Sequence, residues 1–372
     1  MTLTSWIDRK LSLYTKQKRY RTTQPLSIKN ETINFSSNDY LSISTHPNLK
    51  EASIQAIKEN GCSASSSRLV SGTLEIHEKL EFELAKFFGY QTATLFGNGF
   101  LTNLGVITAI TSRKDTIFED RLNHASLVDG ARLAGAHAYR YRHNDLNDLE
   151  EKLIKSQELG KKIIITDALF SMNGDFAHLK ELSALARQYK AVLIVDEAHS
   201  LGLFGGGRGL CFQERIRPDI IIGTFGKAFG GYGGFALGSV ALQSLLINRS
   251  RPFIYSTALP PACCASGLAA LKILQQTPNM GDRLLHRANL FSALLPDTTS
   301  SSQIIPLVIG DNEKALALSS ALAKKGIITT AIRPPTVPVN KACIRLSVCL
   351  NHSDEMLRRA AYTISKMLRE IV

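Results

Sequence analysis

Helical patterns and short β-branched runs alternate along the chain from about residue 47 to residue 223. The helical patterns cover residues 49–60, 76–88, 146–159 and 179–189, and the β-branched runs cover residues 92–96, 162–166, 192–196 and 219–223. Alternation of this kind is typical of parallel strands joined by crossover helices. The sequence therefore predicts an α/β fold with a mostly parallel central sheet. In such sheets, ligands bind beyond the carboxyl ends of the strands.

The order of the helical and strand patterns changes after about residue 275. Strand patterns at 304–310, 327–332 and 342–348 are mixed with helical patterns at 313–325 and 354–371. This order predicts a small α+β domain. We therefore expect three parts, which are an N-terminal helix and arm over residues 1–45, a large α/β domain over 46–275 and a small C-terminal α+β domain over 276–372.

The chain is basic, with 44 Lys and Arg against 32 Asp and Glu and a net charge of +12. The positive charge is dispersed, since no block of five like charges occurs and aromatic residues make up only 7% of the chain. Proteins that bind DNA or RNA concentrate their basic residues and carry recognisable reading motifs. We therefore expect no nucleic-acid partner and attribute the charge to anionic small substrates.

The cysteines and the apolar segments indicate the cellular compartment in which the protein works. The six cysteines form no Cys-x-x-Cys pair and do not cluster with histidines, which argues against a zinc site and a disulfide framework and predicts a reducing compartment. The first 21 residues lack the apolar run of an export signal. No stretch reaches the roughly 18–20 apolar residues of a membrane span. We expect a cytoplasmic protein with no metal site and no membrane partner.

Lys227 follows the apolar run 220–222 and lies among Gly226, Gly230 and Gly231. Glycines allow the backbone to approach a ligand closely. Partial burial in such a place lowers the pKa of an amine and makes the amine nucleophilic toward an aldehyde. The alternative is a surface lysine at a strand end, which is the commoner role for any one of 44 basic residues.

Asp196 follows the apolar run 192–195, and His199 comes three residues later. A carboxylate in that place is costly unless it is paired, and a protonated pyridine nitrogen is a suitable partner. His199 would lie on the same side and could contact a phenolic oxygen of the same ring. The alternative for Asp196 is an N-cap of the next turn, and the alternative for His199 is a structural histidine.

A glycine turn leads into a helical pattern that ends near residue 110. Gly97 and Gly99 flank Asn98, and the helix N-terminus that follows would offer amide hydrogens and the positive end of its dipole to a phosphate. Ordinary helix capping would give the same pattern. His124 carries an aromatic ring that could stack on a flat cofactor, and its alternative is a turn histidine without a ligand.

Taken together, these residues resemble the α-oxoamine synthases, which are pyridoxal 5'-phosphate (PLP) enzymes of the aspartate-aminotransferase fold type, fold type I. The resemblance runs over nearly the whole chain, and its segments are specific only in combination. They are residues 34–41 (NFSSNDYL), 68–72 (RLVSG), 122–126 (LNHAS), 170–175 (FSMNGD), 195–199 (VDEAH) and 224–227 (TFGK). The resemblance implies PLP as the cofactor and a homodimer with active sites at its interface.

The resemblance also implies roles for individual residues. Lys227 would carry PLP covalently, and Asp196 would pair with the pyridine nitrogen. His199 would contact the ring oxygen, and His124 would stack on the ring. Further cofactor contacts are implied for Gly99, Phe100, Ser171 and Thr224, and for Ser256 or Thr257, which would reach the phosphate across the dimer interface.

Residues 331–338 (AIRPPTVP) resemble the corresponding segment of family members that condense L-alanine with a pimeloyl thioester in biotin synthesis. That reaction releases CO2 and the free thiol. The resemblance implies that Arg345 binds the amino-acid carboxylate alongside Asn38 and His124. Lys227 would then remove the α-proton.

The far end of the acyl chain needs a polar or cationic contact because pimelate carries a second carboxyl group or its ester. The resemblance implies Thr336 and Arg21 for this contact, and Arg19 is near enough in sequence to take the place of Arg21. The sequence departs from many relatives at 63–67, which reads SASSS where they carry several glycines.

Several other functions stay open at this point. A relative of the same family would use glycine with acetyl-CoA or serine with a long acyl-CoA. A PLP-dependent aldolase or lyase would share Lys227 and Asp196 but would need no acyl tunnel. A binding module that kept the fold without catalysis is a further alternative. The sequence also leaves open whether the acyl group arrives on coenzyme A or on an acyl carrier protein, and whether its far carboxyl is free or esterified.

Overall fold

The structure is a computed structural model that describes residues 1–23, 25, 32–156, 160–296, 298 and 300–371. Its internal contacts divide the chain into two compact units. The first unit comprises Met1–Ser37, Met172–Gly174 and Leu285–Val372, and the second comprises Asn38–Ser171 and Asp175–Leu284. The three-part division at residues 45 and 275 that the sequence pattern indicates remains a prediction beside these units.

Helices and short strands follow one another along the described chain. The strands are β1 (Ile33–Asn34), β2 (Thr92–Phe96), β3 (Thr116–Asp120), β4 (His137–Tyr141), β5 (Lys162–Asp167), β6 (Val192–Asp196), β7 (Ile220–Thr224), β8 (Gly234–Gly238), β9 (Ile304–Gly310), β10 (Ile327–Ile328), β11 (Thr330–Ile332) and β12 (Ala342–Ser347). The helices are α1 (Leu3–Lys16), α2 (Pro47–Asn60), α3 (Glu75–Phe88), α4 (Gly99–Ile110), α5 (Ala125–Ala134), α6 (Leu146–Lys155), α7 (Leu179–Gln188), α8 (Leu210–Gln213), α9 (Val240–Arg249), α10 (Arg251–Ile254), α11 (Pro261–Gln276), α12 (Met280–Ala293), α13 (Asn312–Lys324) and α14 (Asp354–Ile371).

A seven-stranded sheet forms the centre of the second unit, in the order β2-β8-β7-β6-β5-β3-β4. The pairs β7–β6, β6–β5, β5–β3 and β3–β4 are parallel, whereas β8 runs antiparallel to both β2 and β7. The predicted α/β fold with a mostly parallel central sheet is therefore confirmed. Since β5, β6 and β7 are parallel neighbours, their carboxyl ends meet at one edge of the sheet.

The central strands are buried on both faces because helices cover the sheet. Ile163, Ile165 and Ile194 have no exposed surface and belong to one apolar cluster with residues of α4 and α5. Strands that are buried on both faces consist of continuous runs of apolar, often β-branched residues. This burial explains why apolar and polar residues do not alternate along these strands. The cluster fixes β5 and β6, and with them the residues that follow at their ends.

A three-stranded antiparallel sheet, β11-β12-β9, forms the first unit together with the parallel pair β1–β10. The predicted single strand over residues 327–332 is wrong. It divides into β10 and β11, because the chain pairs with β1 at Ile327 and then leaves that pair to join β12 at Thr330. Helix α14 buries Leu357, Ala360 and Ile364, as its apolar spacing predicts.

Some elements of the second unit differ from the sequence prediction. Strands β3, β4 and β8 carry too weak a pattern to be predicted, and β8 begins and ends at glycine. The helix predicted over residues 146–159 ends at Lys155 in the structure, and its predicted end lies outside the described residues. Across the described ranges, no helix has the length and apolar character needed to cross a membrane.

Candidate active site

Two carboxyl groups lie side by side at the ends of β5 and β6. Asp167 and Asp196 are register partners in the parallel pair, and both are buried. Asp196 Oδ1 accepts the backbone N–H of Ala198 at 2.9 Å, and its Oδ2 accepts Nδ2–H of Asn103 at 2.6 Å. These donors favour the ionised form of Asp196 and hold its carboxylate in one orientation.

The neighbouring Asp167 is in a different state. Burial, followed by repulsion from Asp196, raises the pKa of the Asp167 carboxyl well above its usual range. Two adjacent buried carboxylates do not both ionise at low cost. The protonated form of Asp167 is therefore favoured, and Asp167 Oδ2 accepts the backbone N–H of His124 at 2.7 Å.

A chain of hydrogen bonds leads from Asp196 to the His124 ring. The amide nitrogen of Asn103, on α4, donates one hydrogen to Asp196 and the other to Ser126 Oγ at 2.8 Å. Ser126 Oγ lies 2.7 Å from His124 Nδ1. Because Ser126 already accepts from Asn103, its hydroxyl hydrogen is available to donate to Nδ1.

This chain of bonds fixes the state of the His124 ring. Nδ1 also accepts the backbone N–H of Ser126 at 3.3 Å, so it is an acceptor and the ring proton lies on Nε2. The ring of His124 faces open solvent, yet desolvation by the surrounding protein, together with the charge of Lys227, lowers the pKa of His124 against the attraction of Asp196 and Asp129. The neutral ring is therefore favoured.

Lys227 lies in the tight loop that joins β7 to β8. Phe225 N–H donates to Gly233 O at 3.0 Å, and Gly230 N–H donates to Lys227 O at 2.9 Å. Gly230 has a φ of +62°, and a Cβ there would lie 2.6 Å from the backbone nitrogen of Ser44. Glycine is therefore required at this turn. The Lys227 side chain is half-buried, and its amine acts electrostatically on both His124 and Asp167. The amine therefore lies at the same edge of the sheet as these two residues.

His199 is held by a buried tyrosine. Its Nδ1 lies 2.7 Å from Tyr40 Oη, and Tyr40 donates its hydroxyl hydrogen to Asn38 Oδ1 at 3.1 Å. Since a tyrosine hydroxyl has one hydrogen, Nδ1 of His199 is the donor toward Tyr40. The ring of His199 is therefore held by a side chain that itself has no exposed surface.

The N-terminus of α4 approaches the end of β7. Asn98 caps the helix by accepting the N–H of Leu101 at 2.9 Å. The amide groups of Gly99 and Phe100 belong to the first turn, where helices lack internal acceptors. A Cβ at Gly99 would lie 3.3 Å from Cβ of Thr224, so the helix start and the strand end are in close contact. This end of α4 is suited to bind an anion.

The other predicted cofactor residues also lie in the second unit. Ser171 is half-buried and follows the buried Phe170, which donates its N–H to Asp175 O at 3.0 Å. Ser256 is half-buried and Thr257 is exposed, and Thr257 pairs with Ser67 in an isolated antiparallel bridge. The reach of Ser256 or Thr257 across a dimer interface stays a prediction.

Three predicted substrate residues lie in the first unit. Arg345, on β12, is buried, and its guanidinium donates to Ser347 Oγ at 2.6 Å. Arg21 donates to Thr336 Oγ1 at 3.2 Å, so the two residues predicted to contact the acyl end touch each other. The charge of Arg21 adds to burial in lowering the pKa of Arg333.

Comparison with known proteins gives the family. The model of the family "Aminotransferase class I and II" matches residues 30–364. The chain belongs to this family. An 8-amino-7-oxononanoate synthase from Geobacter sulfurreducens is 41% identical over 351 residues, which cover 92% of this chain and 90% of that protein. One from Acidithiobacillus ferrooxidans is 42% identical over 343 residues, which cover 90% of this chain and 88% of that protein.

Two solved structures match the fold closely. A serine palmitoyltransferase from S. paucimobilis, solved with PLP and myriocin, has a TM-score of 0.93 at 26% identity and covers 100% of this chain and 99% of its own. An 8-amino-7-oxononanoate synthase from Francisella tularensis has a TM-score of 0.79 at 31% identity, with 92% and 99% covered. The predicted membership of the α-oxoamine synthases and the predicted fold type are confirmed.

Sequence analysis missed the residues that hold the site together. Asn103, Ser126 and Tyr40 are all buried, and each donates to or accepts from a predicted site residue. One signal was available for Asn103, since α4 is largely apolar and a buried amide needs polar partners. Nothing in the sequence indicates that its partners are Asp196 and Ser126, because those residues lie on other elements.

Replacement of Ser126 by alanine tests the state of the His124 ring. The substitution removes the hydroxyl that donates to Nδ1, so the neutral ring loses a hydrogen bond and the pKa of His124 should rise. The ring C–H shifts of His124, followed by NMR across a pH titration of the chain without cofactor, measure this change. S244A, on the exposed side of α9, should leave the titration unchanged. An unchanged or lower pKa of His124 in S126A would show that Ser126 does not set the tautomer.

Proposed function

We propose that this chain catalyses the PLP-dependent condensation of L-alanine with a pimeloyl thioester, which yields 8-amino-7-oxononanoate, CO2 and the free thiol in biotin synthesis. One observation carries the proposal: the relatives named 8-amino-7-oxononanoate synthase are 41–42% identical over nine-tenths of the chain. The family model matches residues 30–364, a range that includes every proposed cofactor residue. An acyltransferase activity is therefore the function that the site supports best.

The residues of the second unit fit PLP as the cofactor. The ionised carboxylate of Asp196 suits a protonated pyridine nitrogen, and the neutral ring of His124 suits a flat aromatic face. The Lys227 amine acts electrostatically on His124 and on the neighbouring Asp167 carboxyl, and the N-terminus of α4 suits a phosphate. Each of these four features rests on contacts between described residues, and together they support PLP as the cofactor.

Bound PLP supplies an aldehyde that condenses with amines and a ring that accepts the electrons of a broken bond at the substrate α-carbon. The protein residues govern where protons go. Lys227 Nζ takes the proton from the α-carbon of alanine and returns a proton at the end of the reaction. Asp196 would pair with the protonated ring nitrogen, because Asn103 and Ala198 donate to its carboxylate and hold it in one orientation.

Substrate recognition adds residues from the first unit. We propose that Arg345 binds the alanine carboxylate with its planar guanidinium, alongside Asn38 and His124. Thr336 and Arg21 contact the far end of the pimeloyl chain. The hydrogen bond between Arg21 and Thr336 supports this pairing and favours Arg21 over Arg19, whose guanidinium donates to Gln17.

A second candidate is acyl transfer to serine. The support is the TM-score of 0.93 with a serine palmitoyltransferase. That likeness comes at 26% identity, whereas the relatives named 8-amino-7-oxononanoate synthase reach 41–42%. Fold similarity is shared across a family with different substrates. The alanine reaction is therefore the better supported of the two.

We further propose that the chain acts as a homodimer in the cytoplasm. Leu69, Val70 and Tyr255 are more than half exposed, and they lie near the paired loops at Ser67 and Thr257. Exposed apolar side chains grouped in this way are typical of a subunit interface. All six cysteines are free thiols, which suits a reducing compartment. The solution mass of the purified chain measures the oligomeric state.

Product analysis tests the proposed reaction directly. The purified chain with PLP should convert alanine and a pimeloyl thioester to 8-amino-7-oxononanoate, with release of one thiol for each product molecule. Parallel reactions with glycine and serine, and with coenzyme A and acyl carrier protein as carriers, identify the amino acid and the donor. Faster thiol release with serine and a long acyl chain would contradict the proposal and support the second candidate.

Replacement of Arg345 tests the carboxylate contact. A charged hydrogen bond is worth roughly 1.5–3 kcal/mol, so R345M should raise the KM for alanine by about 10- to 100-fold. R345K should recover part of the lost affinity, since lysine keeps the positive charge but lacks the two parallel N–H donors of the guanidinium. R369M, at an exposed position of α14, is the control. An unchanged KM in a folded R345M protein that still binds PLP would exclude this role.

A further inference from the structure

One histidine bridges two carboxylates outside the residues assigned to the cofactor. His143 follows β4, and its Nδ1 lies 2.9 Å from Asp120 Oδ1 at the end of β3. Its Nε2 lies 2.6 Å from Asp175 Oδ2. The ring also packs edge-on against Phe170, with centroids 4.5 Å apart and planes at 89°. Three separate segments of the chain therefore meet at a single imidazole ring.

The contacts require a proton on each nitrogen of this ring. Ionised carboxylates only accept hydrogen bonds, so an imidazole between two of them donates from both nitrogens and is charged. Burial opposes that charge, but the hydrogen bonds and negative charges of Asp120 and Asp175 outweigh it and raise the pKa of His143 to about 9. The geometry and the raised pKa of His143 therefore both favour the protonated ring at neutral pH.

Asp120 connects the cluster to the segment that carries His124. Its Oδ1 also accepts the backbone N–H of Leu122 at 2.8 Å. The next residue, Asn123, donates to Ile165 O at 2.9 Å and accepts the N–H of Asp167 at 3.2 Å. The path from Asp120 to His124 is therefore held by a hydrogen bond at each residue between them.

Asp175 connects the cluster to the turn that carries Ser171. Phe170, which precedes Ser171, donates its N–H to Asp175 O at 3.0 Å. Asn144, next to His143, donates its side-chain amide to Phe176 O at 2.9 Å and its backbone N–H to Asp120 Oδ2 at 2.9 Å. His143 and Asn144 therefore each bind both segments at once.

We propose that His143 is a positioning residue that holds His124 and Ser171 in fixed relation to each other by bridging Asp120 and Asp175. The proposal rests on the proposed function, since the placement of His124 and Ser171 matters for catalysis only when both contact PLP. In this proposal His143 contacts neither the cofactor nor the substrate. It acts through the two carboxylates and the backbone bonds that extend from them.

Two conservative variants separate the two halves of the bridge. The amide of asparagine reaches the place of Nδ1, so H143N keeps the bond to Asp120 and loses the bond to Asp175. The amide of glutamine reaches the place of Nε2, so H143Q keeps Asp175 and loses Asp120. H137N and H137Q are matched controls, because His137 is an exposed residue at the other end of β4.

Hydrogen exchange of the chain without cofactor reports the two segments independently. H143Q should speed exchange in residues 121–128, and H143N should speed exchange around Phe170 and Asp175. In both variants the Kd for PLP should rise about tenfold, which corresponds to about 1.4 kcal/mol. The visible circular dichroism of bound PLP should change as the ring loses its fixed orientation. The His137 variants should match the wild type in all three measurements.

Several outcomes would overturn the proposal. Exchange and PLP affinity within twofold of the wild type in both variants would show that His143 only fills space. Faster exchange spread evenly over the chain would show a general loss of stability instead of a positioning role. A wild-type chain that binds no PLP would refute the proposed function, whereas the exchange pattern would still test the bridge.

The wild-type protein provides a second test if the variants do not fold. A histidine whose folded pKa is raised stabilises the native state fully below its unfolded pKa of about 6.5, and this stabilisation is lost as pH rises through the folded pKa. After correction for intrinsic rates, protection of the His124 and Ser171 segments should fall together above about pH 9, while Ile163–Ile165 stay protected. Loss of protection in only one segment, or in neither, would contradict the proposal.

Discussion

The site depends on the burial of two neighbouring carboxyl groups at the ends of parallel strands. Asp167 and Asp196 cannot both carry charge at low cost in this environment, and their hydrogen bonds decide which one does. Asp196 receives two donors, whereas burial and its neighbour raise the pKa of Asp167. The result is a single negative charge in a fixed orientation, which is what a protonated ring nitrogen of PLP requires.

The other site residues are held by partners that are themselves buried. Asn103 connects the charged carboxylate to Ser126 and so to the tautomer of His124. Tyr40 holds the ring of His199 in place through a hydrogen bond with Nδ1. Because each partner is fixed by packing, the charge pattern exists before any ligand binds. A site arranged in this way stabilises developing charge without reorganisation during the reaction.

The sequence predicted the part of the site that follows directly from local pattern. Asp196 and Lys227 each come after an apolar strand, and strand ends are where such sheets bind ligands. Family resemblance then gave roles to His124, Ser171 and Thr224. The parallel arrangement of the central strands also followed from alternation, because a crossover helix joins parallel strands. The order of the strands did not.

The remaining features depend on contacts between residues distant in sequence. Asn103 and Asp196 are 93 positions apart, and His143 and Asp175 are 32 apart, so no local pattern indicates either pair. Strand β8 begins and ends at glycine and is held by its neighbours β2 and β7 more than by its own propensity. The division between β10 and β11 also depends on distant residues, because β10 pairs with β1 whereas β11 pairs with β12.

The central claim is that the Lys227 amine forms the covalent bond to PLP. Borohydride reduction of the purified protein with PLP, followed by peptide mass analysis, measures this bond directly. The account predicts one pyridoxyl adduct, on the peptide that contains Lys227, and no adduct on that peptide in K227A. An adduct on a different lysine, or a protein that remains colourless and unmodified with excess PLP, would contradict it.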